Sequence, residues 1–201
     1  MKRIEDLVLR LRADLGIPDD ERPDLLDLLR RLKFAGVISD YGPDVQGTLG
    51  DVVARWDSAS RTITIAAHLW HQLEGESDPE TRFTIFHEVG HAALGHVARN
   101  RRMQGKPQFG RNVEFDELEA DDFALAFAIP LNFAGSTDLA NTDQLATQFG
   151  LSRVHASRRL VALEKHVRGS KSPPSRTAQE PEDNYAEAMG EMQINAATWN
   201  S

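Results

Sequence analysis

The sequence predicts an α+β fold with a small antiparallel sheet, two helices that carry histidines and carboxylates, and then a helix-turn-helix-like segment. Residues 48–56 and 61–66 alternate in the manner of strands with one buried face. Residues 82–96 and 114–130 instead repeat their apolar side chains every three or four positions, which is the period of a helix. The chain has 201 residues, 40% of them hydrophobic, which is enough for one sizeable core.

The composition excludes several classes of protein. A net charge of −8 argues against a general nucleic-acid binder. The absence of cysteine removes disulfides, cysteine-ligated zinc and thiol catalysis together. The sequence contains neither an apolar run of membrane-spanning length nor a signal peptide, so we expect a cytoplasmic protein with no membrane partner.

Residues 1–40 predict two helices that dock onto the rest of the chain as a cap. Two short helices alone offer too little core to form an independent domain. Both show apolar side chains at helical spacing. The positions are Ile4, Leu7, Val8, Leu11 and Leu15 in the first helix, and Leu25, Leu28, Leu29 and Leu32 in the second.

Residues 47–66 predict a β-hairpin, with a turn at residues 57–60 between the two alternating stretches. An edge strand beside a catalytic helix can hold an extended peptide by main-chain pairing. We therefore consider two roles for this hairpin. It either binds a peptide substrate along its edge or merely covers the helices.

The motif H-E-x-x-H at residues 87–91 is the most informative stretch. On a helix His87 and His91 lie one turn apart, so both imidazoles can face one metal ion. Glu88 lies about 100° round the helix from His87, where a general base for a zinc-activated water is needed. Residues 77–80 supply a capping residue, a proline and an acid, which are typical of a helix start.

A third metal ligand has to come from another part of the chain. His96 lies about 180° round an ideal helix from His87, so we expect it to be a helix-end or surface residue outside the site. With no cysteine available, a carboxylate from the second helix is favoured. Glu117 is the predicted ligand and Glu119 is its rival. Asp121 is the predicted partner of a histidine N–H.

Residues 142–166 have helix-turn-helix form, with a turn at Gly150 between two helices. Arg153, Arg158 and Arg159 could contact DNA phosphates. The alternative is that this helix pair packs beside the catalytic domain and docks the substrate. Residues 168–201 are rich in proline and serine at first, which predicts a disordered tail.

The stretches 82–96, 117–130 and 145–152 together resemble the ImmA/IrrE family of zinc metallopeptidases. The resemblance covers about residues 45–165. By position, His87 and His91 match the ligand histidines, Glu88 the catalytic glutamate and Glu117 the third ligand. Asp121 stands where the family usually has asparagine.

The resemblance implies a zincin-like metallopeptidase domain at residues 41–135, followed by the helical segment at residues 136–167. It also implies one Zn²⁺ per chain, although Mn²⁺ would fit the same donors. The family's characterised targets are helix-turn-helix repressors of phage, mobile-element or stress-response genes, so a repressor is the expected substrate. Two alternatives stay open. One is a DNA-binding regulator with a structural or sensory zinc site, and the other is a partner that binds a repressor without cutting it.

Overall fold

The structure is a computed structural model that describes residues 2–75, 77–97, 111–136 and 141–171. Contacts divide the chain into Met1–Lys165 and His166–Ser201. The helices are α1 (Lys2–Asp14), α2 (Leu25–Phe34), α3 (Pro79–Leu94), α4 (Arg111–Ala128), α5 (Leu131–Ser136), α6 (Thr142–Phe149) and α7 (Arg153–Lys171). The strands are β1 (Asp40–Asp44), β2 (Ala54–Asp57) and β3 (Thr62–Ala66), and a short 3₁₀ helix occupies Ala67–Gln72. Within the described residues, none of these helices is long and apolar enough to cross a membrane.

The two N-terminal helices share one hydrophobic core with the rest of the first unit. Leu25, Leu28 and Leu29 of α2 are fully buried, as the leucine spacing predicts. Two buried arginines tie the cap to later elements. Arg12 of α1 donates to the carbonyl of Phe127 at 2.8 Å. Arg82 of α3 donates to the carbonyl of Pro23, in the loop before α2, also at 2.8 Å. Such charge-assisted bonds satisfy carbonyls that burial would otherwise leave unpaired.

In the part of the chain that the structure describes, the sheet has three strands in the order β1–β3–β2. Strands β2 and β3 form the predicted antiparallel hairpin, with Trp56 opposite Ile63. The prediction of a purely antiparallel sheet is wrong, because β1 pairs with β3 in parallel. β1 contains Gly42 and Pro43, which are poor strand formers, and it lies at an edge where a proline is tolerated. Its sequence therefore carried little strand signal. The coarser prediction of a mixed α+β fold is confirmed.

Helix α3 begins and ends with two well-defined caps. The side chain of Asp78 accepts from the N–H groups of Glu80 and Thr81 at 3.1 and 3.0 Å, and Pro79 follows it. Gly95 ends the helix in the left-handed conformation, with φ of 73°. Only a residue without a Cβ adopts that conformation at little cost. The chain turns sharply there, so residue 96 no longer follows the helix.

Helices α6 and α7 follow one another, with Gly150 in the left-handed conformation at the end of α6. Helix α7 runs to Lys171, so residues 168–171, predicted as the start of the tail, are helical. The remainder of the predicted tail lies outside the described residues.

Replacing the cap of α3 should lower stability. We expect Asp78→Ala to reduce the free energy of unfolding at neutral pH by about 1 kcal/mol, whereas Asp78→Ser keeps a cap and most of the stability. Burial raises the pKa of Asp78, but hydrogen bonds from Thr81 and Glu80 outweigh it and hold the pKa below its ordinary 3.8. The stabilisation is therefore present above about pH 4 and lost as pH falls through the folded-state pKa. Urea unfolding at pH 7 and pH 3 measures this, and equal losses at both pH values would contradict it.

Candidate metal centre

The structure brings the three predicted ligand side chains together where α3 faces α4. The Nε2 atoms of His87 and His91 are 3.0 Å apart. An Oε2 atom of Glu117 lies 3.3 Å from the first of them and 3.9 Å from the second. All three donor atoms lie within 4.8 Å of one another. The two imidazoles are largely buried, while the carboxylate is about half exposed at 49%.

The donor set fits a zinc ion both chemically and in its spacing. Zinc in a protein is bound by imidazole nitrogens and carboxylate oxygens at about 2.0–2.2 Å. In a tetrahedron of that size the ligand atoms lie about 3.3 Å apart. The observed separations bracket this value, and two histidines with one carboxylate leave a fourth position for water or substrate.

The second ring nitrogen of His87 contacts Asp121, the carboxylate predicted to be the partner of a histidine N–H. Its Nδ1 lies 2.9 Å from an oxygen of Asp121, whose other oxygen accepts from Arg158 at 3.2 Å. This arrangement requires Nδ1–H, which leaves the Nε2 lone pair free for a metal. The hydrogen bond to His87 is also the largest cause that lowers the pKa of Asp121.

His96 also belongs to this cluster, contrary to the expectation that it lies outside the site. Its Nδ1 is 2.9 Å from Nδ1 of His91, and its Nε2 is 3.4 Å from Glu119. The prediction extended the helix past Leu94, whereas the turn at Gly95 folds His96 back onto the preceding helical turn. Glu119, the rival ligand, accordingly faces this histidine. A glycine at the helix end was the sequence signal that could have revealed it.

Glu88 lies beside the ligand cluster and contacts strand β2. Its Oε2 accepts from the main-chain N–H of Trp56 at 2.6 Å. Burial is the main cause that raises the pKa of Glu88 to about 7. Burial likewise lowers the pKa of His91 to about 4, helped by the neighbouring histidines, so this imidazole is neutral at physiological pH. A carboxyl group with a pKa near 7 can both accept and return a proton.

The close approach of α3 to α4 depends on Gly90, which lies between His87 and His91 in the sequence. A Cβ added there would lie 3.1 Å from the carbonyl oxygen of Ala120 and 3.1 Å from the ring of Phe123. Neither neighbour can move easily, since one is helix backbone and the other is a fully buried ring. The missing side chain therefore sets the distance across which Glu117 reaches the histidines.

The arginines predicted to contact DNA are engaged within the protein. Arg159 is 2% exposed and forms a two-point ion pair with Glu5, at 2.5 and 2.9 Å. Arg158 binds Asp121, and Arg153 pairs with an exposed carboxylate of α6 at 2.7 Å. The prediction that Arg159 is available for phosphates is wrong, because its guanidinium is buried and bound to Glu5.

A family model described as the IrrE N-terminal-like domain, Peptidase_M78, matches residues 56–161. The matched region is more than half of the chain and includes all of the clustered histidines and carboxylates. The family implies a metallopeptidase of the ImmA/IrrE type. The chain belongs to Peptidase_M78, the ImmA/IrrE family, as the motifs predicted. A search of curated proteins gave no match.

Adding one methyl group at the helix crossing should weaken metal binding. We expect Gly90→Ala to push α4 away from α3 and to raise the zinc dissociation constant at least about 10-fold, a loss of about 1.4 kcal/mol. Helix propensity favours alanine by about 1 kcal/mol, so stability should change less than affinity. Gly42→Ala is the control, since nothing lies within 4 Å of a Cβ built there. Chelator competition measures both variants, and unchanged affinity in Gly90→Ala would refute the role of this crossing.

Proposed function

We propose that the protein is a zinc-dependent endopeptidase of the gluzincin type that cuts a partner protein at one site. His87, His91 and Glu117 would hold Zn²⁺, and Glu88 would act as general base and then general acid. The observation that carries the proposal is the convergence of two imidazole nitrogens and one carboxylate oxygen at zinc spacing. Glu88 lies on the same helix, α3, directly after His87.

The residues suit hydrolysis of a peptide bond. Zinc held by His87, His91 and Glu117 would supply a Lewis acid that makes water a strong nucleophile at neutral pH. Glu88 takes a proton from the attacking water and passes it to the nitrogen of the leaving amine, as the C–N bond breaks. Its pKa of about 7 in the protein without metal suits a group that gains and loses a proton in each turnover. The N–H of Trp56 holds one of its oxygens in place.

An extended segment of a protein is the substrate that the surroundings of the site favour. Among the described strands β2 pairs only with β3, and its other edge faces Glu88. The N–H of Trp56 points to that edge, so a peptide laid along β2 would pass the catalytic carboxylate. The family's characterised targets are helix-turn-helix repressors, and a repressor is therefore the substrate that we propose. The DNA-binding alternative loses support, because Arg159 is buried against Glu5.

Removal of a proposed ligand should remove the metal. We expect wild-type protein to bind about one zinc per chain, and His87→Ala and Glu117→Ala each to lose it, because two remaining donors hold zinc weakly. Glu114→Ala is the matched control, since it removes an exposed carboxylate one turn earlier on the same helix. Elemental analysis after dialysis measures the content. Zinc retained by Glu117→Ala would assign the third ligand to another carboxylate.

Removal of the proposed base should stop cleavage without releasing metal. We expect Glu88→Gln to keep wild-type zinc content and to lose at least about 100-fold in rate, the lower bound for general acid–base catalysis. Peptides tiled from helix-turn-helix repressors, with cleavage read by mass spectrometry, provide the assay. Glu80→Gln, an exposed change on the same helix, serves as the control. Cleavage by Glu88→Gln at the wild-type rate would refute the mechanism.

A further inference from the structure

We propose that His96 and Glu119 form a positioning pair that fixes the ring and the tautomer of His91, and so raises zinc affinity. The inference rests on the zinc site proposed above, and it assigns a role to two residues outside the ligand set. Neither residue would touch metal or substrate. Their effect would pass through the Nδ1 atom of His91.

Three hydrogen bonds hold His96 in place besides the contact between its Nδ1 atom and Nδ1 of His91. Its main-chain N–H donates to the carbonyl of His91 at 2.9 Å, across the turn at Gly95. Its carbonyl accepts from the indole N–H of Trp56 at 3.2 Å. Its Nε2 reaches Glu119 on α4 at 3.4 Å. These bonds anchor the main chain of His96 to α3 and to the sheet, and its imidazole to α4.

The order of the contacts fixes where each proton lies. A metal on Nε2 of His91 leaves the proton on Nδ1, which can then only donate. Its neighbour at 2.9 Å, Nδ1 of His96, must therefore accept, and this places the proton of His96 on Nε2. That N–H in turn points at the carboxylate of Glu119. Each proton in this series of hydrogen bonds then has one acceptor, so the tautomer of His91 that can bind zinc is favoured.

The surroundings make this chain of hydrogen bonds costly to break. The side chain of His96 is 10% exposed and that of Glu119 is 20% exposed. Hydrogen bonds shielded from water are stronger, and an unpaired polar group there is expensive. Loss of the pair would leave Nδ1–H of His91 without its acceptor. The ring would then be freer to turn away from the metal.

The two ligand histidines are supported in different ways. His87 donates directly to the carboxylate of Asp121. His91 instead donates to an imidazole, with the carboxylate of Glu119 one ring further away. Outer partners of this kind change metal affinity by about 10–100-fold when they are mutated. The pair at His96 should act within that range.

The same side chains suggest a competing role as a second cation site. Nε2 of His96 lies 3.9 Å from Asp116 as well as near Glu119, and the three could bind one ion. An ion on Nε2 would leave the proton of His96 on Nδ1, where it would oppose Nδ1–H of His91. Occupancy of both sites is therefore disfavoured. We treat a second site as an outcome that would contradict the pair.

The test compares zinc affinity and cobalt spectra of four full-length variants with wild type. We expect His96→Ala to raise the zinc dissociation constant about 10–100-fold and Glu119→Ala to raise it less. His96→Asn keeps an acceptor near the position of Nδ1 and should recover most of the affinity. Asp116→Asn removes a charge from the cluster but lies outside the hydrogen-bonded chain, so it should bind zinc as wild type does. The visible spectrum of the Co²⁺ form should change in His96→Ala and return in His96→Asn.

The outcomes separate this inference from the proposed function. Zinc bound by wild type and equally well by His96→Ala and Glu119→Ala would overturn the positioning pair alone. Two metals per wild-type chain, one of them lost in both Asp116→Asn and Glu119→Ala, would replace the pair by a second cation site. No zinc in wild type would overturn the proposed function itself. Thermal unfolding of the metal-free variants detects misfolding, and rescue by His96→Asn distinguishes positioning from a general loss of stability.

Discussion

The close crossing of α3 and α4 is the constraint on which the site depends. Gly90 allows the backbone of Ala120 to approach within contact distance of α3. At that separation Glu117 reaches two histidines from a different helix, a contact that neither helix could make alone. Fully buried side chains, including Phe123, fix the crossing from behind, and close-packed interiors resist small shifts. The proposed metal donors are therefore positioned by core packing.

A network of hydrogen bonds then orients the donors that packing brings together. Trp56 is its central residue, because its main-chain N–H holds Glu88 and its indole N–H holds the carbonyl of His96. The sheet thereby supports both the proposed base and the partner of a proposed ligand. Helix α7 also contributes, since Arg158 binds Asp121. Helix α7 thus contacts the site through Arg158, which fits a supporting role better than phosphate binding.

The sequence was sufficient for features that depend on neighbouring residues. The helical period and the cap at Asp78 predict α3, and H-E-x-x-H predicts which of its side chains face one point. The alternation at 61–66 predicts β3, and the absence of cysteine limits the third ligand to oxygen or nitrogen. Motif spacing also predicted the family. These signals are local, because period, capping and turns are set within a few residues of chain.

Tertiary structure decided which side chains meet. Glu117 and Glu119 lie two positions apart on one helix. Only the packing of that helix against α3 determines that Glu117 faces His87 and that Glu119 faces His96. His96 joins the cluster because the chain turns at Gly95, where an ideal helix would have carried it to the far side. Arg159 looks like a surface cation in sequence but is buried against Glu5, which is 154 positions away. Contacts of this range are fixed by packing of the whole core, and no local period records them.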